Sequence, residues 1–136
     1  MANVRALNKD KYKISKHKFL EAYHFCMQYN EWRDELKYNT DTVGSFDYSR
    51  VRVQSSGGGD ATADLGGRRA ELSRKCELVE QTAIEADSDI YEYILKAVTN
   101  EGVTYHYLNT VCGMRCGRDM YYDRRRKFYF NLSSKL

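Results

Sequence analysis

The sequence predicts an all-α protein, and three observations carry that expectation. None of its 136 residues is proline, the residue that removes a backbone donor and clashes with the preceding helical turn. Apolar side chains recur at three- and four-residue steps over much of the chain, the spacing that gathers them on one helix face. Breaks in that pattern fall at glycines, at positions 57–59, 66–67, 102, 113 and 117, so turns are supplied by the residue that lacks a Cβ. The expected architecture is a long N-terminal helical hairpin followed by a C-terminal tri-helical helix-turn-helix unit.

Residues 1–14 are basic and weakly patterned, an expected arm. From Ser15, a candidate cap, the residues Phe19, Tyr23, Cys26, Tyr29, Trp32 and Leu36 share a face, so one amphipathic helix is expected from Ser15 to about Tyr38. Residues 40–69 gather Gly, Ser, Asp and Thr and read as a flexible loop. Periodicity returns with Leu65, Leu72, Cys76, Val79 and Ala83, the seam of a second long helix able to lie against the first. The hairpin is therefore expected over 15–86.

Three shorter helices follow over 87–136. The first, at about 89–101, has Ser88 or Asp87 as cap, Ile90, Ile94, Ala97 and Val98 inward, and Gly102 as its stop. A short helix at 104–112 turns Tyr107, Leu108 and Val111 inward and breaks at Gly113 and Met114. The last opens near Gly117 or Arg118. In it Tyr121, Phe128, Leu132 and Leu136 fall within roughly 80° of one another at 100° per residue, a buried stripe. By the same count Arg118, Tyr122, Arg126 and Tyr129 form an adjacent exposed stripe.

Charge is distributed unevenly. The net charge is only +3, but residues 1–59 carry +3, residues 60–101 carry −5 and residues 102–136 carry +5. A basic terminal segment beside an acidic middle is the pattern of a protein with one face toward a polyanion. With 42% hydrophobic residues the chain is not of disordered composition. It has no apolar run of membrane-spanning length and no signal-peptide core. A cytoplasmic protein without membrane contact is expected, with Cys26, Cys76, Cys112 and Cys116 as reduced thiols rather than a disulfide framework.

The three C-terminal helices have the lengths of a helix-turn-helix, whose last helix enters the major groove of duplex DNA. Between Arg115 and Lys127 there are six basic side chains against two acidic ones, interleaved with Tyr121 and Tyr122. Phosphate binding suits that mixture, because each cation displaces condensed counterions while hydroxyls fix register. Double-stranded DNA is the expected partner. Arg118, Tyr122, Arg125 and Arg126 are expected nearest the DNA, with Arg124 and Lys127 toward flanking phosphates and Arg115 in the turn. Tyr105 and His106 are candidates for backbone contact.

The run from residue 59 through TYHYLNTVCGMRCGRDMYYDRRRKFYFNLSSKL resembles phage late-transcription regulators of the RinA/ArpU type, over roughly residues 58–136. Asp60, Thr62 and Ala63 match that family's Asp-Pro-Thr-Ala junction, with Ala61 at the place of the proline. Leu72 and Val79 fall on its apolar seam, and Gly113 and Met114 match its Leu-Gly-Ile turn. Tyr121, Tyr122, Arg124, Arg125, Arg126 and Phe128 match its recognition helix. The resemblance implies a helix-turn-helix similar to sigma region 4 and a sequence-specific transcriptional regulator of phage or prophage late genes. Host RNA polymerase is a candidate further partner, though the sequence does not say whether it is touched directly. The turn containing Cys116 and Gly117 is longer than the family's, and residues 1–57 lie outside the resemblance. A homodimer is expected from the hairpin.

Other chemistries find less support. Cys112 and Cys116 with His106 lack the paired short spacings of structural zinc, and His24 and Cys26 lie on a distant helix; no metal or cofactor is expected. Cys116 is flanked by Arg115 and Arg118, which would lower its pKa. The triple glycine at 57–59 lacks the lysine of a nucleotide loop, and no enzyme is expected. The rival reading is a phage-encoded protein-binding factor, either a small packaging subunit or an inhibitor of a host nuclease such as an anti-CRISPR.

Overall fold

A computed structural model describes residues 12–45 and 55–136, with side chains for 12–38 and 66–136. The secondary structure of the described residues is all α-helical, without a strand. In chain order they are α1 (Lys16–Met27), α2 (Tyr29–Ser45), α3 (Ser55–Ala86), α4 (Tyr91–Thr99), α5 (Tyr105–Thr110) and α6 (Arg118–Lys135). None of these helices is long and apolar enough to cross a membrane.

Two expectations about the first half need correction. The single helix expected from Ser15 is two helices, because the chain tightens at Gln28, whose amide donates to the carbonyl of Phe25, three residues back, at 3.3 Å. The loop expected over 40–69 is largely helical: residues 40–45 close α2 and residues 55–69 open α3, while 46–54 lie outside the described residues. Each glycine costs a helix only about 1 kcal/mol against alanine. Propagation from a formed helix adds a hydrogen bond per residue without a new nucleus, so glycine content marks a weak helix and not its end.

The chain forms two compact units, Asn30–Glu77 and Met1–Tyr29 with Leu78–Leu136. The first is an antiparallel helical hairpin of α2 and the first part of α3. Glu35 accepts two hydrogen bonds from Arg68, at 3.0 and 2.9 Å, and the Lys75 ammonium sits 5.2 Å from the Trp32 ring centroid. Arg68 and Glu35 remain largely in solvent, so burial of Trp32, Leu72 and Cys76 outweighs their pairing in holding the hairpin. The arm expected at 1–14 lies mostly outside the described residues, and Leu65 is outside the described side chains.

The second unit does not begin at residue 87, as the sequence expectation had it. α1 belongs to it, packed on α6 and α4. Ser15 caps α1 by accepting from the Lys18 amide at 3.1 Å. Phe19 meets Tyr129 edge to face with centroids 4.9 Å apart, and Tyr12 lies 5.6 Å from Phe130. At the C-terminal end of α6, Lys135 donates to Thr82 and pairs with Glu85 at 2.7 Å. Val79, Ala83, Ile94, Val98, Leu108 and Phe128 are fully buried between these helices.

Local signals set the last three helices. Asp87 Oδ1 accepts from the amides of Asp89 and Ile90 at 2.8 and 3.2 Å, so Asp87 shapes the entry to α4. Gly102 has φ +77° and turns the chain toward Thr104, whose hydroxyl caps α5 by accepting from the Tyr107 amide at 3.1 Å. Gly113, also at φ +77°, ends the segment where the sequence placed its break.

Candidate nucleic-acid interface

The segment between α5 and α6 is held by side chains of α5. The Tyr105 hydroxyl donates to the Cys116 carbonyl at 2.6 Å, and Asn109 Nδ2 donates to the Met114 carbonyl at 3.0 Å. The Met114 amide donates to the Leu108 carbonyl at 2.9 Å, and the Met114 side chain is buried. The Arg118 guanidinium lies 5.3 Å from the Tyr105 ring centroid, and Tyr105 approaches Tyr121 at 5.7 Å. The first turn of α6 is thereby fixed to α5 from two sides.

The two halves of α6 meet different surroundings. Its first half leaves one arc open, where Arg118, Asp119, Tyr122, Asp123 and Arg126 line a shallow depression of about 410 Å³. Tyr122 is half-buried and edge-on to Tyr121 at 5.0 Å. Arg115 is exposed in the turn. Lys127 is half-exposed and stands about 180° around the helix from Arg118 at 100° per residue, on the flank of the open arc. Arg115, Arg126 and Lys127 make no ion pair with a described residue.

Two of the three consecutive arginines point elsewhere. Arg124 donates to Asp87 at 3.1 Å and to Asp123 at 2.8 Å, tying α6 to the turn before α4. The hydrogen bond to Asp87 pushes the Arg124 pKa up. At Asp87, burial pushes the carboxyl pKa up, but the Asp89 and Ile90 amides and Arg124 outweigh it and hold the group below its ordinary value. Arg125 lies 5.6 Å over the Tyr129 ring, with its Nε buried. The structure therefore keeps Arg118, Tyr122 and Arg126 together on the open arc, and directs Arg124 and Arg125 into the protein.

Tyr129, expected on the exposed stripe, is only 2% exposed, because Phe19 of α1 covers that side of the helix. Burial drives its hydroxyl pKa well above the ordinary value. Tyr121 is buried as expected, and burial pushes it up to about 12. Leu136, expected at the end of the buried stripe, is 36% exposed. Cys116 is not acidified by its arginine neighbours: burial first, and then Asp87, push its pKa up. Among the described residues no cluster of His, Cys, Asp or Glu is placed to hold a metal ion.

The residues that position this surface carry little mark in the sequence. Asn109 carried no signal, because its partner is a backbone carbonyl in an irregular segment. Asp87 was visible only as a cap, and its link to Arg124 spans 37 positions. Tyr12 also went unnoticed: its hydroxyl donates to the Asp123 carboxylate at 3.4 Å, so Asp123 is engaged from two sides. No family model, curated protein or solved structure matches the chain.

Proposed function

We propose that the chain is a sequence-specific DNA-binding transcriptional regulator that reads the major groove with the first half of α6. One observation carries the reading. The open arc of α6 sets Arg118, Tyr122 and Arg126 beside Asp119 and Asp123, with the exposed Arg115 and half-exposed Lys127 on its flanks, and it begins directly after a segment clamped to α5. The N-terminal residues of a recognition helix are the ones that reach base edges, and a helix fits the width of the major groove. Arg118, Tyr122 and Arg126 would face the bases and the nearest phosphates, with Arg115 and Lys127 on flanking phosphates. Arg124 and Arg125 would act from inside, by holding α6 in place.

The setting, late genes of phage or prophage, follows from the resemblance of residues 58–136, and host RNA polymerase is a candidate further partner. Self-association as a homodimer would use the helical hairpin, the part of the chain that carries none of the proposed DNA contacts. The test is fluorescence anisotropy on a labelled duplex pool across a salt series. Wild type should bind with a steep salt dependence. Replacing Arg118 and Arg126 together with alanine should reduce the slope of log affinity against log salt by roughly 1.8, about 0.9 for each lost phosphate contact. Absence of salt-sensitive binding by wild type would sink the reading.

The rival, a protein-binding factor, draws support from exposed apolar side chains on the same two helices and the segment between them. Val111 is 69% exposed, and Met120 and Tyr107 are also exposed. Binding to a purified host protein by a chain that ignores duplex DNA would favour it.

A further inference from the structure

We propose that Asp119 is a base-reading residue whose carboxylate accepts a hydrogen bond from the N4 amine of a cytosine in the major groove. The inference rests on the DNA-binding reading above and adds to it the identity of one base.

Asp119 sits at the middle of the open arc. At 100° per residue it lies about 100° around the helix from Arg118 and about 20° from Arg126, in the first turn of α6. The two acids of that arc differ in their partners. Asp123 is occupied, accepting from Tyr12 and Arg124. Asp119 is exposed and makes no hydrogen bond or ion pair with a described residue. A carboxylate near a helix N-terminus gains some tenths of a kcal/mol from the macrodipole, and Asp123, four residues on, opposes that only in part because Arg124 pairs with it.

A surface that only held phosphates would be weakened by a free carboxylate among its arginines. Base reading reverses that sign. Cytosine presents an amine donor in the major groove, which a carboxylate accepts, while guanine presents O6 and N7, which a guanidinium donates to. A carboxylate beside Arg126 and Arg118 therefore complements the two edges that C·G pairs offer, and it rejects thymine, whose O4 is an acceptor at that place.

The experiment is in vitro selection from a randomised duplex pool, run with the full chain as wild type, Asp119→Ala and Asp119→Asn. The side chain is exposed, and far-ultraviolet circular dichroism checks that both variants keep their helices. Wild type should enrich a motif in which one position favours cytosine by about tenfold, the discrimination of a single good base contact. Asp119→Ala should keep the rest of the motif and lose that preference. Asp119→Asn should exchange cytosine for adenine, because a carboxamide pairs with adenine N6 and N7. An unchanged cytosine preference in Asp119→Ala, or a wild-type motif with no such position, would overturn the proposal and leave DNA binding intact. Failure of wild type to enrich any sequence would overturn both.

Discussion

The two halves of α6 have similar residue types and opposite fates. Arg118, Tyr122 and Arg126 line an open depression, while in the second half Phe128 and Tyr129 are buried, Tyr129 against Phe19 of α1, and Arg125, one residue before Arg126, already turns onto the Tyr129 ring. Nothing in the local sequence separates Arg125 from Arg126. Their difference comes from what lies opposite, since one residue step turns the side chain by about 100°, away from α1 and into solvent. A basic run on a helix is thus not a unit. It is sorted one residue at a time by the neighbours that the fold supplies.

Substitution tests the sorting, beginning with the largest expected effect. Phe128→Ala, in the buried half, should lower unfolding free energy by about 3–5 kcal/mol, as for other fully buried phenylalanines. Chemical denaturation measures it, and a loss below about 1 kcal/mol would mean that this half is not packed as described. Arg124→Ala should cost less, about 1 kcal/mol, since the pair is partly exposed to solvent and only its Asp87 end is well covered.

The same variant should respond differently to acid. Asp87 is held below its ordinary pKa, so its contribution to stability is present above the ordinary carboxylate value of about 3.9 and is lost as pH falls through the lower folded value. Wild type should therefore destabilise on acidification below about pH 4, and Arg124→Ala should do so less steeply. Equal slopes would remove Asp87 from the account. The smallest effect belongs to the open half. Arg118→Ala with Arg126→Ala should lower unfolding free energy by only about 0.5 kcal/mol, the worth of the exposed contact of Arg118 with the Tyr105 ring, and a loss well above about 1 kcal/mol would show that these residues hold more of the fold than that contact.

Much of the helical pattern was legible because its causes are local. Thr104 caps α5, Gly113 takes a positive φ at the expected break, and Tyr121, Phe128 and Leu132 are buried on the expected stripe. The helical state of residues 55–69 was not legible, since composition lowers helix stability there without ending the helix. Nor were the roles of Arg124 and Tyr129, which depend on Asp87 and Phe19, residues brought to α6 by the fold. The same limit applies to the candidate site. The basic character of residues 115–127 is plain from charge, but which arginines face outward is decided by tertiary contacts.

The clamp on the segment before α6 also bears on time. The Met114 amide is bonded to Leu108 and its side chain is buried, although Arg115 and Gly117 nearby lie in solvent. That amide should exchange its hydrogen slowly, an island of protection in a segment whose neighbours exchange fast. A ligand of a helix presented this way would meet it already ordered. Little conformational entropy is then lost on binding, and the rate of association would follow electrostatic encounter rather than local folding.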